Sequence, residues 1–386
     1  MKLLCASDVH LFREEENMGR FQAFAEFAKS SDADLILLAG DIVEYPASSP
    51  LESKRFQNLF GIMAQITSSE IERRKKHKKI ELSPFEQFCA MPIIAEEICS
   101  KPIYSGDMKE MAREYLNLIE EAEWQMRNAY GIASHILKST GKQVLAVAGN
   151  HDLNLEDTIL RELDIHRKSR IINGCKIAGY GGAAKRDGMP LPKGCPPELT
   201  TPFNEYPKGS VIEGFFRHVS EPRDFLEQEK PVIALLHTPL YGLMDTPFKF
   251  RGQDIPEAHF GSPGIAEYAQ TGQTALFLSG HVHDGACIAQ IKTQNNRFSV
   301  AVNLGCLGKT EVKGGHFAEV LIDDNTKEFQ SATFYEILPG GLVAPSATYV
   351  KRGRTIEPII VTGAMPSDDM ADAWLMEERA KKIRFK

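Results

Sequence analysis

No stretch of the 386-residue sequence approaches the roughly 18 uninterrupted apolar residues of a membrane span, so no transmembrane segment is expected. The amino terminus carries a single lysine, and its apolar run stops at Asp8, too short for a secretory signal. The seven cysteines are odd in number and none forms a Cys-x-x-Cys pair. That spacing fits neither a disulfide framework nor a cysteine zinc site. Cys5, Cys287 and Cys306 lie in apolar surroundings and read as small core residues. An excess of positive charge is also lacking: the formal net charge is −7, which argues against a surface built mainly to hold nucleic acid. Internal repeats and low-complexity blocks are absent. What is present is ordinary globular composition, 42% hydrophobic and 25% charged, which excludes disordered, collagen-like and membrane classes. A cytoplasmic location is the expectation.

Continuous apolar runs recur along the chain, at Lys2 to Ser7, Leu35 to Ala39, Val144 to Ala148, Val232 to Leu236 and Ala275 to Leu278. Runs of this length without alternation predict strands buried on both faces, as in an α/β sheet. Phe21, Phe24, Ala25 and Ala28 recur at helical spacing between the first two. From Ala286 onward alternating strands follow one another, through Ile288 to Ile291, Phe298 to Val302, Phe317 to Ile322 and Ser331 to Ile337. They predict a second, more antiparallel sheet.

Three segments interrupt this scheme. Residues 46–140 form an insertion that reads as helical, since a structureless loop of that length is improbable. Within it Met108, Met111, Tyr115, Leu118, Ala122, Met126, Ala129, Ala133 and Ile136 fall three or four apart, predicting a long amphipathic helix with Asp107 as N-cap. Such a stripe seals either against the core or against a second copy of the chain. Met189 to Pro222 is crowded with prolines and reads as an ordered loop near the rim. From Pro339 a Gly/Pro-rich stretch leads to a predicted helix near Ser367 to Arg384. The expected organisation is thus a main domain over 1–337, the insertion within it, and a C-terminal extension over 338–386.

The buried runs end in polar clusters: Asp8-Val9-His10, Gly40-Asp41, Gly149-Asn150-His151-Asp152, His237-Thr238-Pro239 and Gly280-His281-Val282-His283. Ligands in open α/β sheets bind outside the carboxyl ends of strands, so the clusters are expected at one rim. Five of the eleven histidines lie in them. Desolvated imidazoles and carboxylates need compensation, and a bound divalent cation supplies it. On an extended chain residues i and i+2 point the same way, so Asp8 with His10, and His281 with His283, are each expected to converge. The glycine before Asp41 allows a close backbone turn. Asp8, His10, Asp41, Asn150, His237, His281 and His283 are more ligands than one tetrahedral ion uses, and they suit two ions sharing one carboxylate.

In this order the elements D-x-H, G-D, G-N-H-D, a lone His and G-H-x-H resemble the calcineurin-like metallophosphoesterase superfamily, over Met1 to about Ile337. The resemblance implies a four-layer α/β/β/α sandwich of two mixed sheets, here with a helical cap insertion. It implies one metal held by Asp8, His10, Asp41 and His283, and a second held by Asp41, Asn150, His237 and His281. A hydroxide between the ions would attack phosphorus in line, and His151 would protonate the leaving oxygen. Alternatively, His151 supports a metal ligand from behind or contacts the substrate phosphate. Asp152 either orients His151 or caps the helix that follows. The implied cofactors are two divalent ions, manganese first, with iron, zinc, cobalt or nickel also suited to such ligands.

The substrate implied is a small or medium phosphorylated molecule, hydrolysed as a diester or a monoester. A DNA end-processing nuclease of the same superfamily is the alternative, weakened by the acidic balance and by the short chain beyond Ile337. A non-catalytic scaffold is the other, weakened because every ligand is kept. The serine/threonine phosphatases continue G-D as D-x-x-D-R-G and use G-N-H-E; Asp41-Ile42-Val43-Glu44-Tyr45 and His151-Asp152 depart from both. Lys185 and Arg186 are candidates to meet an anionic substrate, against a solvated loop. The basic run Arg73 to Lys79 reads as a solvated helix end, with steering of a polyanion as the other reading. His218, His259 and His316 have no motif context and read as surface or packing residues.

Overall fold

The computed structural model describes residues 1–11, 15–44, 58–59, 61–63, 65–70, 73, 94–183, 221–245, 259–283, 286–308 and 315–359. Lys185, Arg186, His218, nearly all of the proline-rich segment, the basic run past Arg73 and the expected terminal helix lie outside them.

Seven strands form one mixed sheet. Its parallel centre is β1 (Lys2–Ala6), β2 (Leu35–Ala39) and β3 (Gln143–Val147). Beside β1 the antiparallel strands β10 (His316–Ile322), β11 (Phe329–Ile337), β12 (Val343–Arg352) and β13 (Thr355–Ile359) extend it to the edge. The second sheet has six strands in the order β4-β5-β6-β7-β9-β8. These are β4 (Lys168–Ile172), β5 (Cys175–Tyr180), β6 (Ile233–Leu236), β7 (Leu276–Ser279), β8 (Cys287–Ile291) and β9 (Ser299–Asn303). Among the helices in the described residues are α1 (Glu15–Ser30), α2 (Gly106–Ser139), α3 (Glu221–Glu229) and α4 (Pro263–Ala269).

The apolar runs are unbroken because each strand buries both faces. Leu3, Cys5, Leu35 and Leu37 face the core between the sheets, where they meet Ile177, Ile233, Leu235, Leu276 and Leu278. The alternate residues Leu4, Ala6, Ile36 and Leu38 pack under α1 and the second half of α2, against Phe21, Phe24, Met126, Tyr130 and Ala133. On the far side Ala234, Leu236 and Phe277 pack under Leu226 of α3 and Ile265 and Tyr268 of α4. Helix, sheet, sheet, helix is the four-layer α/β sandwich expected.

Three expectations are corrected. The strands after Ala286 do not make a sheet of their own: β8 and β9 complete the second sheet, while β10 and β11 return to the first beside β1. The segment after 338 begins as β12 and β13 of that same first sheet. The cap of α2 is Ser105, whose hydroxyl accepts from the Met108 amide at 3.3 Å, and Asp107 sits inside the first turn. The stripe on α2 is buried from Tyr115 to Ile136. Its first half builds a separate cluster with Leu59, Met63, Ile94 and Ile98, and its second half belongs to the sandwich. Arg73 forms a two-pronged ion pair with Glu70, at 2.9 and 2.6 Å, as a helix-surface residue does.

Candidate metal centre

The five polar clusters meet at the carboxyl ends of β1, β2, β3, β6 and β7, where the two sheets face each other. Backbone bonds knit the loops together. The Asp8 amide donates to the Gly40 carbonyl and the His10 amide to the Asp41 carbonyl, both at 2.9 Å. The Gly280 amide donates to the His237 carbonyl at 2.9 Å, and the His281 amide to the Asp8 carboxylate at 2.9 Å. Three glycines are required by closeness: a Cβ on Gly40 would strike Gly149 and His237, one on Gly149 the Asp41 carboxylate, and one on Gly280 Ser7 and Asp8.

Convergence is reached by a route different from the one expected. Asp8, His10, Asp41 and His281 hold positive φ of 53°, 45°, 51° and 68°. The pairs Asp8/His10 and His281/His283 are therefore not extended segments with alternating sides; left-handed turns aim their side chains inward. Such conformations cost of order 1–3 kcal/mol each for residues other than glycine, and they persist only where surroundings impose them.

Asp8, His10, Asp41 and His283 each place a ligand atom within 4.8 Å of the others. His283 Nε2 lies 2.9 Å from Asp8 Oδ1 and 3.2 Å from His10 Nε2. On the other side His237 Nε2 lies 2.9 Å from Asn150 Oδ1 and 3.5 Å from Asp41 Oδ2, and the His281 ring is 5.0 Å from the His237 ring, centre to centre. Asp41 Oδ2 belongs to both groups, since it is 3.8 Å from His10 Nε2. All seven predicted ligands are thus brought to one place, and all but the half-buried His281 and His283 are buried.

The donor set fits divalent cations on its own chemistry. Asp8 and Asp41 are buried, and among the described residues no lysine or arginine pairs with either. His237 Nδ1 lies 2.7 Å from the Ala39 carbonyl, so that nitrogen carries the proton. Its Nε2 then faces the oxygens of Asn150 and Asp41, a convergence of lone pairs that suits a cation. Without an ion, protons do the work. Burial disfavours the Asp8 carboxylate, but His283, His10 and His237 outweigh it and hold the carboxyl well below the usual range. Burial disfavours the His10 imidazolium, but Asp8, Glu44 and Asp41 push it up to about 10.

His151 stands at the mouth, its side chain 29% exposed and its ring 5.4 Å from that of His10. Its amide donates to Asp41 Oδ1 at 2.8 Å. Asp152 neither orients His151 nor caps a helix through its carboxylate. That buried group accepts from the amides of Ile42, Val43 and Gly149 and from the Tyr130 hydroxyl, at 2.8 to 3.1 Å. Four donors claim it, so it ties the loop after Asp41 to the loop before His151. Burial and the Asp41 charge raise its pKa against the pull of those donors.

The carboxylate that does face His151 is Glu44, which the sequence reading passed over. Its Oε1 is 3.8 Å from His151 Nδ1 and its Oε2 is 2.9 Å from His10 Nδ1. Its only local signal is its place three residues after Asp41. Of the histidines without motif context, His259 sits 3.0 Å from Asp245 as a packing residue, and His316 opens β10.

Residues 113–285 match the calcineurin-like phosphoesterase family, which bears out the resemblance carried by the motifs. Metal-dependent phosphoester hydrolysis at two divalent ions is the chemistry of that family. No protein of curated function matches the sequence. Among solved structures the chain is similar to TT1561 of Thermus thermophilus, at 14% identity over 85% of this chain and 96% of that one, with a TM-score of 0.37. A dimetal phosphatase from Danio rerio aligns at 9% identity over 86% and 95%, with a TM-score of 0.44. The NAD nucleotidase of Haemophilus influenzae aligns at 11% over 98% and 56%, with a TM-score of 0.33. Among the described residues no helix is long and apolar enough to cross a membrane.

Proposed function

We propose that the protein hydrolyses a phosphodiester or phosphomonoester of a small or medium molecule at a two-metal centre, with manganese as the working metal. The observation that carries this reading is Asp41. Its Oδ2 stands between His10 Nε2 at 3.8 Å and His237 Nε2 at 3.5 Å, the place of a carboxylate shared by two ions. Asp8, His10 and His283 complete one ligand set; Asn150, His237 and His281 complete the other. When bound, the cations supply an activated water and offset the charge on the phosphoryl oxygens.

The chain's own part is positioning and proton supply. The Glu44 carboxylate pairs with His10 Nδ1 at 2.9 Å, which leaves Nε2 for an ion. His151 protonates the leaving oxygen, held at the mouth by the hydrogen bond its backbone amide donates to the Asp41 carboxylate and by the Glu44 carboxylate. The insertion over 46–140 limits what reaches the centre or joins two copies of the chain. Cys5, Cys99, Cys175, Cys287 and Cys306 are free thiols, which supports a reducing, cytoplasmic setting.

The test is metal-stripped protein reconstituted with manganese and assayed on bis-p-nitrophenyl phosphate, p-nitrophenyl phosphate and a linear DNA duplex. Manganese-dependent turnover of either small ester supports the reading, and the preferred one separates diesterase from monoesterase. Degradation of the duplex alone makes the protein a nuclease. Two bound ions with no turnover of any substrate overturns the hydrolase.

A further inference from the structure

Cys306 is packed against the same ligands. It follows β9 in a loop whose shape is imposed from several sides. Gly305 takes a φ of 67°, and its amide donates to the Asn303 side chain at 2.8 Å. The Leu307 and Gly308 amides donate to the carbonyls of Ser7 and Asp8 at 3.0 and 2.9 Å. The Cys306 carbonyl accepts from Gly315 and His316. This loop is therefore laced to the Asp8–His10 turn, and the cysteine between its anchors is fully buried. Its sulfur and one ring nitrogen each of His10 and His283 lie within 4.8 Å of one another. Two histidines and a thiol at that spacing form a ligand group in their own right, sharing its imidazoles with the carboxylate set of Asp8 and Asp41.

From this cluster we infer that Cys306 is a thiolate ligand of the ion held by Asp8, His10 and His283, and that it makes this position selective for softer metals. The inference rests on the two-metal reading of the centre. Without an ion the thiol donates weakly to the Asp8 and Gly308 carbonyls, at 3.1 and 3.2 Å. An ion offers a stronger partner: the S–H proton leaves to solvent and the sulfur lone pair goes to the metal. Charge favours the exchange. Two divalent ions bring four positive charges to a pocket where the ligand carboxylates Asp8 and Asp41 supply two negative ones and Glu44, against His10, a third; a thiolate adds a fourth. A sulfur donor favours zinc, cobalt or ferrous iron over manganese. The two positions then differ: both accept manganese, and the one beside Cys306 binds a softer ion more tightly than the site of Asn150, His237 and His281 does.

The experiment is a cobalt(II) titration of the metal-stripped full chain, followed by absorption, with the Cys306→Ser variant in parallel. The expected result is a near-ultraviolet thiolate-to-cobalt charge-transfer band in the wild type. In Cys306→Ser the band is lost while visible cobalt bands and a two-ion stoichiometry persist. Zinc affinity should fall about 10- to 100-fold in the variant, with little change for manganese. Zinc-edge X-ray absorption of the wild type provides a reading independent of how the variant folds, with a sulfur scatterer expected at about 2.3 Å. Two cobalt ions bound without a charge-transfer band, or a zinc shell of nitrogen and oxygen only, overturns the cysteine ligand and leaves the two-metal reading standing. Failure to bind cobalt or zinc at all overturns both.

Discussion

Glu44 touches two histidines with different duties, and this makes a single residue informative about both. His10 Nδ1 at 2.9 Å and His151 Nδ1 at 3.8 Å face opposite oxygens of one carboxylate. Replacing it by glutamine keeps the shape and removes the charge. Glu44→Gln should weaken metal binding about 10- to 100-fold, the usual effect of losing the partner of a ligating imidazole, as calorimetry with manganese would measure. His151→Gln should leave metal stoichiometry intact and slow turnover, least for esters with good leaving groups such as nitrophenol. The two substitutions therefore separate the residue that positions a ligand from the one that moves a proton. If His151→Gln slows good and poor leaving groups equally, its role as the acid is wrong.

At the scale of the element, the loops after β2 and β3 are held as one unit by Asp152. Removing its carboxylate strands three buried amides and the Tyr130 hydroxyl. An unsatisfied buried group costs about 1–3 kcal/mol, so Asp152→Ala should lower stability by several kcal/mol and shift the urea midpoint strongly. Asp152→Asn keeps one acceptor oxygen and should fall between. A midpoint within error of wild type for Asp152→Ala would show that the loops are held by other contacts. This network also marks what the sequence made legible. The Asp and His side chains were readable because each follows an unbroken apolar run, a pattern that strand burial on two faces enforces. Two of the partners of Asp152, Ile42 and Val43, were not, because they lie about 110 residues away in sequence and depend on how β2 pairs with β3. The hairpin of β4 and β5 carries a local signal, Asn173-Gly174, both at positive φ, but β4 is exposed or half-buried throughout and β5 is almost wholly buried, so neither alternates. For β10 and β11 the strands were legible but not their sheet, since alternation records which faces are buried and not which neighbour buries them.

At the scale of the molecule, the centre joins two sheets that otherwise meet through apolar side chains, so ion binding and folding are linked. The sign of that linkage follows from His10, whose imidazolium is pushed up to about 10 in the ion-free protein, from 6.5 in the unfolded chain. A raised histidine pKa gives stability that is fully present below 6.5 and lost as pH rises toward 10. A cation takes the place of that proton, so the proton's competition eases steadily as pH rises from about 6 toward 10. The ion-free protein should lose stability across this interval. The rise in melting temperature produced by manganese should grow over the same interval, and ion uptake should release protons to the buffer. Thermal unfolding with and without manganese, at pH values from about 6 to 9, reads the first effect. Calorimetry in two buffers of different ionisation enthalpy reads the second. His10→Gln has no such proton to displace, so in this variant the manganese increment should lose most of its pH dependence. An increment that varies with pH equally in wild type and variant would take His10 out of the ligand set and leave the shared Asp41 without its partner on that side.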